Sequence, residues 1–289
     1  MAQRRGQLGH GGNRTPGGAR APGTQPVRGD LGIANLAYAL VDGPVSVAEG
    51  IERATELLER ARGGAAEPQV LAVVASLKAT LGQFDEARMF LAAAKQLAGG
   101  LSATWYTGLV SLLSGRVERL AGDLAMAETG LREALSVFRG MGERWFQGLA
   151  AIDLARLLLV QGRRAELAEL RDVIREVEGL FDPEFQMKLY AFRARELALD
   201  GVIAEALALA DRAVAVAQTT DQLIFHAEVL RDRADVLAFA GRRSEAAVDL
   251  EQAIRLFGAK GNAVAAAQVQ AALAEVAPTK TSRTPQPRK

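Results

Sequence analysis

GQFDEA at 82–87 and GRRSEA at 241–246 are two copies of one short pattern that decides the fold of this 289-residue chain. Between them stand GDLAMA at 122–127, GRRAEL at 162–167 and GVIAEA at 201–206. The leading glycines recur with a regular period of about 40 residues, which is typical of a solenoid, in which each repeat packs on its neighbours. A looser sixth copy, GPVSVAEG, begins one period earlier at Gly43.

Each copy predicts a helix, a short turn and a second helix. Glycine is favoured just past a helix C-terminus, where a positive φ is needed. Glutamate shortly after the glycine would lie in the first turn of the next helix, where the helix dipole favours a negative charge. Small and larger apolar residues then follow at spacings of four and three, which place them on one helix face. They are Ala87, Leu91 and Ala94; Ala127, Leu131 and Ala134; Ala206 and Ala213; and Ala246, Leu250 and Ala253.

The pattern extends over residues 30–276 and predicts an all-α, right-handed superhelical solenoid of about six helix pairs. Residues 143–160 should pair with 164–179, and 222–239 with 243–257. Asp182-Pro183 marks a turn between repeats, because the residue before proline avoids the helical region. Residues 262–276 read as one more helix, which would cover the exposed end of the array.

The two ends differ from the middle in composition and charge. Residues 1–29 are rich in Gly, Pro and Arg, and residues 277–289 are similar, so both are expected to be disordered. These ends hold nine of the 35 basic residues and none of the 34 acids, which leaves the middle with 26 basic residues and a net charge of −8. The low-complexity leader leaves open whether Met1 is the true start.

Several kinds of chemistry lack the residues they need. The chain has no Cys, no Gly-Lys-Ser/Thr phosphate loop and no Gly-x-Ser-x-Gly elbow, and His226 is the only histidine between the tails. His226 is expected in a contact between repeats. We therefore predict no catalytic residue, no metal, no cofactor and no small-molecule substrate. The uncharged run 96–115 contains Gly99, Gly100 and Ser102, so it predicts a helix end and a turn rather than a membrane span. A cytoplasmic location is expected, since no signal peptide is visible.

The Gly, Ala, large apolar and Ala positions resemble those of the tetratricopeptide (TPR) repeat, although the period is longer than the usual one of about 34 residues. HEAT-like repeats are the alternative at this period. The segments 41–58, 213–242 and 241–275 also resemble the C-terminal TPR region of actinobacterial signalling proteins that carry an adenylate/guanylate cyclase or DNA-binding domain and an ATPase module. No cyclase or ATPase segment is present, so the resemblance implies only a sensing or interaction role.

A row of charged residues is the first candidate site. Arg116, Arg156, Arg195 and Asp235 each stand six positions before a turn glycine, and Arg119 and Arg231 lie on or near the same faces. In TPR proteins this face of the first helix lines a concave groove. Guanidinium groups there would bind an acidic peptide, a terminal carboxylate or a phosphate. The alternative is structural pairing with Asp153, Asp232 and Asp235.

An aromatic patch is the second candidate. Trp105 and Tyr106 stand one repeat period before Trp145 and Phe146, near the starts of first helices in consecutive repeats. Packing between repeats is one interpretation. The other is a patch at the edge of the groove, because Trp and Tyr are favoured at binding hot spots.

These observations predict a non-catalytic protein-interaction or sensory module in signalling, which binds a protein partner in its concave groove. The partner is expected to be a separately encoded ATPase or cyclase. The alternative is a detached regulatory C-terminal region of a nucleotide cyclase or of an ATP-dependent transcriptional regulator. Nucleic-acid binding through the basic tails is the least favoured of these functions. No membrane association is expected. A homodimer formed through the end helices stays open.

Overall fold

The computed structural model describes residues 28–100, 104–177, 179 and 182–276. Within these ranges the chain forms thirteen α-helices, one short turn of 3-10 helix at Arg164–Glu166, and no strand. The helices are α1 (Arg28–Asp42), α2 (Val47–Ala61), α3 (Glu67–Thr80), α4 (Phe84–Gly100), α5 (Thr104–Ala121), α6 (Leu124–Met141), α7 (Arg144–Val160), α8 (Leu167–Val177), α9 (Pro183–Leu199), α10 (Ile203–Ala217), α11 (Leu223–Phe239), α12 (Arg243–Lys260) and α13 (Ala263–Val276).

The turns inside the helix pairs share one geometry. The leading glycine has a positive φ of 72° to 85° in five of the six copies: Gly82, Gly122, Gly162, Gly201 and Gly241. The next residue donates its N–H to the carbonyl five positions earlier, as from Gln83 to Lys78 at 3.1 Å and from Arg242 to Leu237 at 2.8 Å. These bonds satisfy carbonyls that the helix end leaves unpaired. The regular spacing of the glycines therefore reflects one turn chemistry repeated along the chain.

The small residues after each turn form the contact between the two helices of a pair. The alanines that the pattern identified are fully buried: Ala87, Ala94, Ala127, Ala134, Ala206, Ala213, Ala246 and Ala253. In α5 and α6 the approach is closer still, because a Cβ on Gly130 would lie 2.8 Å from the backbone nitrogen of Gly115. Atoms at this separation would overlap, so any larger residue at position 130 would force α5 and α6 apart.

The helices form an inner and an outer layer. Helices α1, α3, α5, α7, α9 and α11 pack on one another in order and form the inner layer, while the even-numbered helices pack outside their own partners. The helix α13 packs on α12 and covers the end of the last pair, as predicted. The predicted all-α solenoid of six pairs with a capping helix is confirmed, and its right-handed sense stays a prediction.

The array curls until its two ends meet, which the sequence did not predict. Helix α11 contacts α1, and α13 contacts α3. The Lys260 side chain is completely buried and donates to the carbonyls of Leu40 at 2.8 Å and Gly43 at 2.7 Å. The amide of Gln268 donates to the carbonyl of Leu120 at 3.0 Å. Helix α13 thus lies across the C-terminal ends of inner helices and closes that side of the array.

The first copy of the pattern differs from the others. Gly43 has no positive φ, and the segment 43–46, rather than the short glycine turn, joins α1 to α2. A Cβ at Gly43 would lie 2.6 Å from the carbonyl oxygen of Ala39, so lack of space, not the left-handed conformation, requires glycine here. Ser46 caps α2 by accepting the N–H of Glu49 at 3.3 Å. The loose match of this first copy to the pattern therefore reflects a turn of different geometry.

The predicted boundaries fall close to the helix ends. Helix α1 begins at Arg28, within the segment 1–29 expected to be disordered, and the remainder of that segment and residues 277–289 lie outside the described residues. The uncharged run 96–115 is broken as predicted, because α4 ends at Gly100 and α5 begins at Thr104. Among the described helices, none combines the length and the apolar character that a membrane span requires.

Candidate functional site

The row of charged residues lies on the inner helices, and its members are ion-paired. The guanidinium of Arg116 donates to Asp153 at 2.8 Å, to Glu184 at 3.3 Å and to the hydroxyl of Tyr38 at 3.3 Å. These partners come from α7, α9 and α1. Only 14% of the Arg116 side chain is exposed. Arg116 therefore ties together four inner helices that are far apart in sequence.

Arg156 and Arg195 share one buried acid. Both donate to Asp232 on α11, Arg156 in a short contact and Arg195 at 3.3 Å. Arg195 also pairs with Asp235 at 3.0 Å. Asp232 is almost completely buried, so its charge depends on these two guanidiniums for compensation. The three arginines of the predicted row thus make the pairs that the structural alternative described.

The pairs belong to one larger cluster. Arg119 donates to Glu228 at 3.1 Å, and Lys188 donates to Asp153 at 3.0 Å. Burial lowers the pKa of Arg231, while Asp232 and Glu228 oppose that effect. We call the whole set the groove network: Asp42, Arg116, Arg119, Asp153, Arg156, Glu184, Lys188, Glu228, Arg231, Asp232, Arg195, Asp235 and Lys260. It has seven bases and six acids, so its charges nearly cancel.

The acids of the groove network fall into two electrostatic groups. Burial raises the pKa of Glu184 to about 7, and the nearby cations Arg116 and Lys188 offset this only in part. Burial also raises the pKa of Asp42 and of Asp235. For Asp153 and Glu228, burial opposes ionisation as well, but neighbouring cations, Lys188 foremost, hold the pKa of each well below its usual range. Glu184 is therefore an acid of the groove network that takes up a proton near neutrality.

The sequence analysis identified the position six before each turn glycine and named Asp153 as an ion-pair partner, but it missed Lys188, Glu228 and Glu184. Asp153 stands nine positions before its glycine, Lys188 and Glu228 thirteen before theirs, and Glu184 seventeen. All four are buried. Charged residues three or four apart on otherwise apolar helices were the signal for them, because that spacing keeps side chains on one face. Nothing in the sequence pointed to Lys260.

The predicted aromatic residues gather at the N-terminal ends of the inner helices. The Phe146 ring lies at the centre, with ring centroids of Trp145 at 4.5 Å, Trp105 at 5.5 Å and Tyr38 at 6.2 Å, all nearly perpendicular to it. Tyr106 is buried beneath Trp105, with 5.1 Å between ring centroids. The rings pack repeat against repeat, and they also form one wall of a cavity.

We call that cavity the aromatic mouth. It has a volume of about 520 Å³, and its lining includes the rings of Tyr38, Trp105, Trp145 and Phe146 and the acids Asp182, Glu184 and Asp221. None of the residues described as lining it is a lysine or arginine. Asp182 also caps α9, because its carboxylate accepts the N–H of Phe185 at 3.0 Å. The mouth is therefore aromatic and acidic.

A second cavity, the inner cavity, lies toward the C-terminal ends of the inner helices. It has a volume of about 290 Å³ and is lined by Arg119, Arg156, Arg195 and Arg231 together with Asp153, Glu228 and Asp235 and the apolar Leu124, Leu157 and Val160. Val160 is 60% exposed and marks the edge of the cavity toward solvent. This cavity, unlike the aromatic mouth, is lined by both signs of charge.

Other candidates for chemistry are few. His226 is half-buried on α11, and burial lowers its pKa below the usual value. Within the described ranges, no three His, Cys, Asp or Glu side chains are grouped so that they could hold a metal ion. The arrangement is suited to binding charged groups through fixed side chains.

Comparison with known proteins gives only remote likenesses. No protein-family model matches the chain, and no curated protein matches it significantly. Among solved structures, YrrB, described as a TPR protein with an unusual peptide-binding site, is 18% identical over 74% of this chain and 97% of its own, with a TM-score of 0.36. The TPR2AB domain of yeast Sti1, in a complex with pHSP90, is 15% identical over 86% of this chain and 97% of its own, with a TM-score of 0.32. Because both scores are low, the fold assignment here rests on the helix pairs themselves.

Proposed function

We propose that this chain is a non-catalytic interaction scaffold and that it binds a lysine- or arginine-bearing peptide segment of a protein partner at the aromatic mouth. The observation that carries the proposal is the composition of that cavity. Four aromatic rings and the carboxylates of Asp182 and Asp221 line about 520 Å³, and no basic side chain is among the described lining residues. The third acid, Glu184, is already bonded to Arg116. Such a surface favours a cationic side chain over a neutral or anionic one.

The centre of the groove is less suited to a peptide. Arg116, Arg156 and Arg195 already bind acids from neighbouring helices, and each is at least four-fifths buried. A peptide entering there would have to break several buried ion pairs, and each broken pair would leave an uncompensated charge. The aromatic mouth needs no such rearrangement, because Trp105 and Trp145 are already partly exposed.

A cationic side chain would gain two kinds of contact in the mouth. Its positive charge over the face of Trp or Tyr contributes about 0.5–2 kcal/mol, more when the contact excludes water. Asp221, which is exposed at the rim, would attract it electrostatically. A single lysine or arginine is expected to bind weakly. A peptide that carries such a residue is expected to bind more tightly, because its other residues add contacts.

The identity of the partner belongs to the same proposal. The partner proposed here is a separately encoded ATPase or cyclase, and the alternative is that this chain is a detached regulatory C-terminal region of a nucleotide cyclase or of an ATP-dependent transcriptional regulator. An open reading frame for such a domain next to this one would support the detached-region alternative. A cytoplasmic location and a role in signal transduction are part of this proposal as well.

Tryptophan fluorescence gives a direct test. Both tryptophans of the chain, Trp105 and Trp145, lie at the aromatic mouth, so intrinsic emission reports on this site. We would titrate the protein with a short synthetic peptide rich in lysine and arginine and, separately, with the same peptide carrying glutamate at those positions. A saturable change with the basic peptide and none with the acidic peptide is expected.

Matched charge reversals then locate the binding. Asp221→Lys places a like charge at the rim and should weaken binding of the basic peptide several-fold, because rim charges act mainly through electrostatic attraction. Asp85→Lys makes the same change on the outer helix α4, where the side chain is fully exposed, and should leave binding unchanged. Equal losses in both variants, or equal binding of both peptides, would refute a site at the mouth.

A further inference from the structure

Arg231 differs from every other arginine of the groove network. Its side chain lies on α11, is half-buried and lines the inner cavity. Among the residues that the structure describes, Arg231 makes no hydrogen bond and no ion pair, whereas Arg119, Arg156 and Arg195 each bind a carboxylate. A guanidinium presents five donors in a fixed fork, so this side chain offers an unused anion-binding group inside the cavity.

The carboxylates around Arg231 are already paired with other basic side chains. Glu228 accepts from Arg119, and Asp232 accepts from both Arg156 and Arg195. Asp153 accepts from Arg116 and Lys188, and Asp235 pairs with Arg195. These ion pairs therefore leave Arg231 without a carboxylate partner. The positive charges of Arg119 and Arg156 lie close enough to lower the pKa of Arg231 further.

Arg156 provides a second unused donor in the same cavity. Its Nη2 binds Asp232, but its Nη1 is buried and has no hydrogen-bond partner among the described residues. A buried donor without a partner is uncommon, because losing its contact with water has a free-energy cost that nothing offsets. The side chain of Arg156 is only 10% exposed, and it is one of the residues that line the inner cavity.

We propose that the inner cavity binds a small oxyanion of the phosphate class, held between the guanidinium of Arg231 and Nη1 of Arg156. An oxyanion supplies several acceptors at once, which matches two guanidiniums better than a neutral ligand would. Its negative charge would also relieve the repulsion between the two arginines. A cavity of about 290 Å³ has room for free phosphate or for the phosphoryl end of a small metabolite. This site is distinct from the aromatic mouth and does not depend on peptide binding.

The test uses inorganic phosphate and the full chain. We would follow thermal unfolding and isothermal titration calorimetry during a phosphate titration, with ionic strength held constant by chloride. The variants are Arg231→Met and, as a matched control, Arg255→Met on the outer helix α12. Wild type and Arg255→Met should bind one phosphate with a saturable rise in melting temperature, and Arg231→Met should bind at least about tenfold more weakly because a charge-assisted contact is lost.

The stability of the variants without phosphate shows whether Arg231 serves ligand binding or the fold. Without phosphate, Arg231→Met should be at least as stable as wild type, since it removes a desolvated charge that has no partner. If Arg231→Met fails to fold or is clearly less stable, Arg231 is a structural residue and the proposal is overturned. It is also overturned if phosphate shifts all three proteins equally, because that is a general salt effect, or if chloride alone gives the same shift.

Discussion

Replacing Lys260 with Met would remove two buried hydrogen bonds that help to join the two ends of the array. The Nζ of Lys260 donates to the carbonyls of Leu40 at 2.8 Å and Gly43 at 2.7 Å, residues more than 200 positions earlier in the chain. Methionine has nearly the same length and volume but no donor, so the packing is kept and both carbonyls lose their partner. Lys260→Met therefore isolates the polar contact from the shape of the side chain.

The size of the effect follows from burial. Lys260 is completely buried, and a buried acceptor that loses its partner costs about 1–3 kcal/mol. Two acceptors without a partner would lower the free energy of unfolding by about 2–6 kcal/mol. The variant no longer has to bury an ammonium group, and this gain offsets part of the loss. We expect a net loss of about 2–4 kcal/mol in the free energy of unfolding. Lys95→Met on the outer helix α4, where the ammonium lies 3.9 Å from Glu133, should cost less than about 0.5 kcal/mol.

Urea unfolding and native-state hydrogen exchange together measure this loss and its place in the fold. Unfolding followed by circular dichroism gives the free-energy difference between the two variants. Exchange should accelerate first at the C-terminal end of α1 and along α13, because these elements lose their mutual contact before the middle repeats do. A change in stability within about 0.5 kcal/mol of the Lys95→Met control would refute the reasoning, as would a loss of protection spread evenly over all helices.

Two further predictions concern the interior. Because the pKa of Glu184 is raised to about 7 from 4.5, the folded state keeps a proton that the unfolded state loses, so stability should fall as pH rises through that window by on the order of 3 kcal/mol. Glu184→Gln should flatten this dependence in urea unfolding at about pH 5 and about pH 8, and an unchanged dependence would contradict the assignment. Gly130→Ala should destabilise by about 1–3 kcal/mol, because its Cβ would lie 2.8 Å from the backbone of Gly115. Gly140→Ala on the same helix meets no atom within 4 Å and should be neutral or stabilising by thermal unfolding.

The features of the fold that depend only on residues close together in the chain could be predicted from the sequence. The turn at Gly82 needs only glycine and the helices beside it, and the buried Ala87 needs only a helix packed against its pair. Both are local, and both recur at the predicted period. Gly43 is the exception, because it occupies the right place in the period for a different physical reason, a close approach to the carbonyl of Ala39.

The parts that depend on how strongly the array curls could not be predicted. The pairing of Arg119 with Glu228 joins residues 109 positions apart, and no periodic pattern specifies which charged residues meet at such a distance. The sequence placed Arg116, Arg156 and Arg195 on one face and named Asp153, Asp232 and Asp235 as pairing partners. It could not show that Arg116 would also reach Glu184 and Tyr38 on more distant helices. The cavities are also outcomes of the curl, since each is lined by several inner helices.

Contact between the first and last repeats fixes how many repeats this chain can have. In an open solenoid a repeat can be duplicated or lost, because each unit touches only its neighbours. Here one added or missing helix pair would carry α13 away from α3 and Lys260 away from α1, so the gain of a repeat would break a buried contact elsewhere. Changes in length should therefore be tolerated in the turns between helices but not in the number of pairs. A fixed number of pairs also keeps the aromatic mouth and the inner cavity at a constant size.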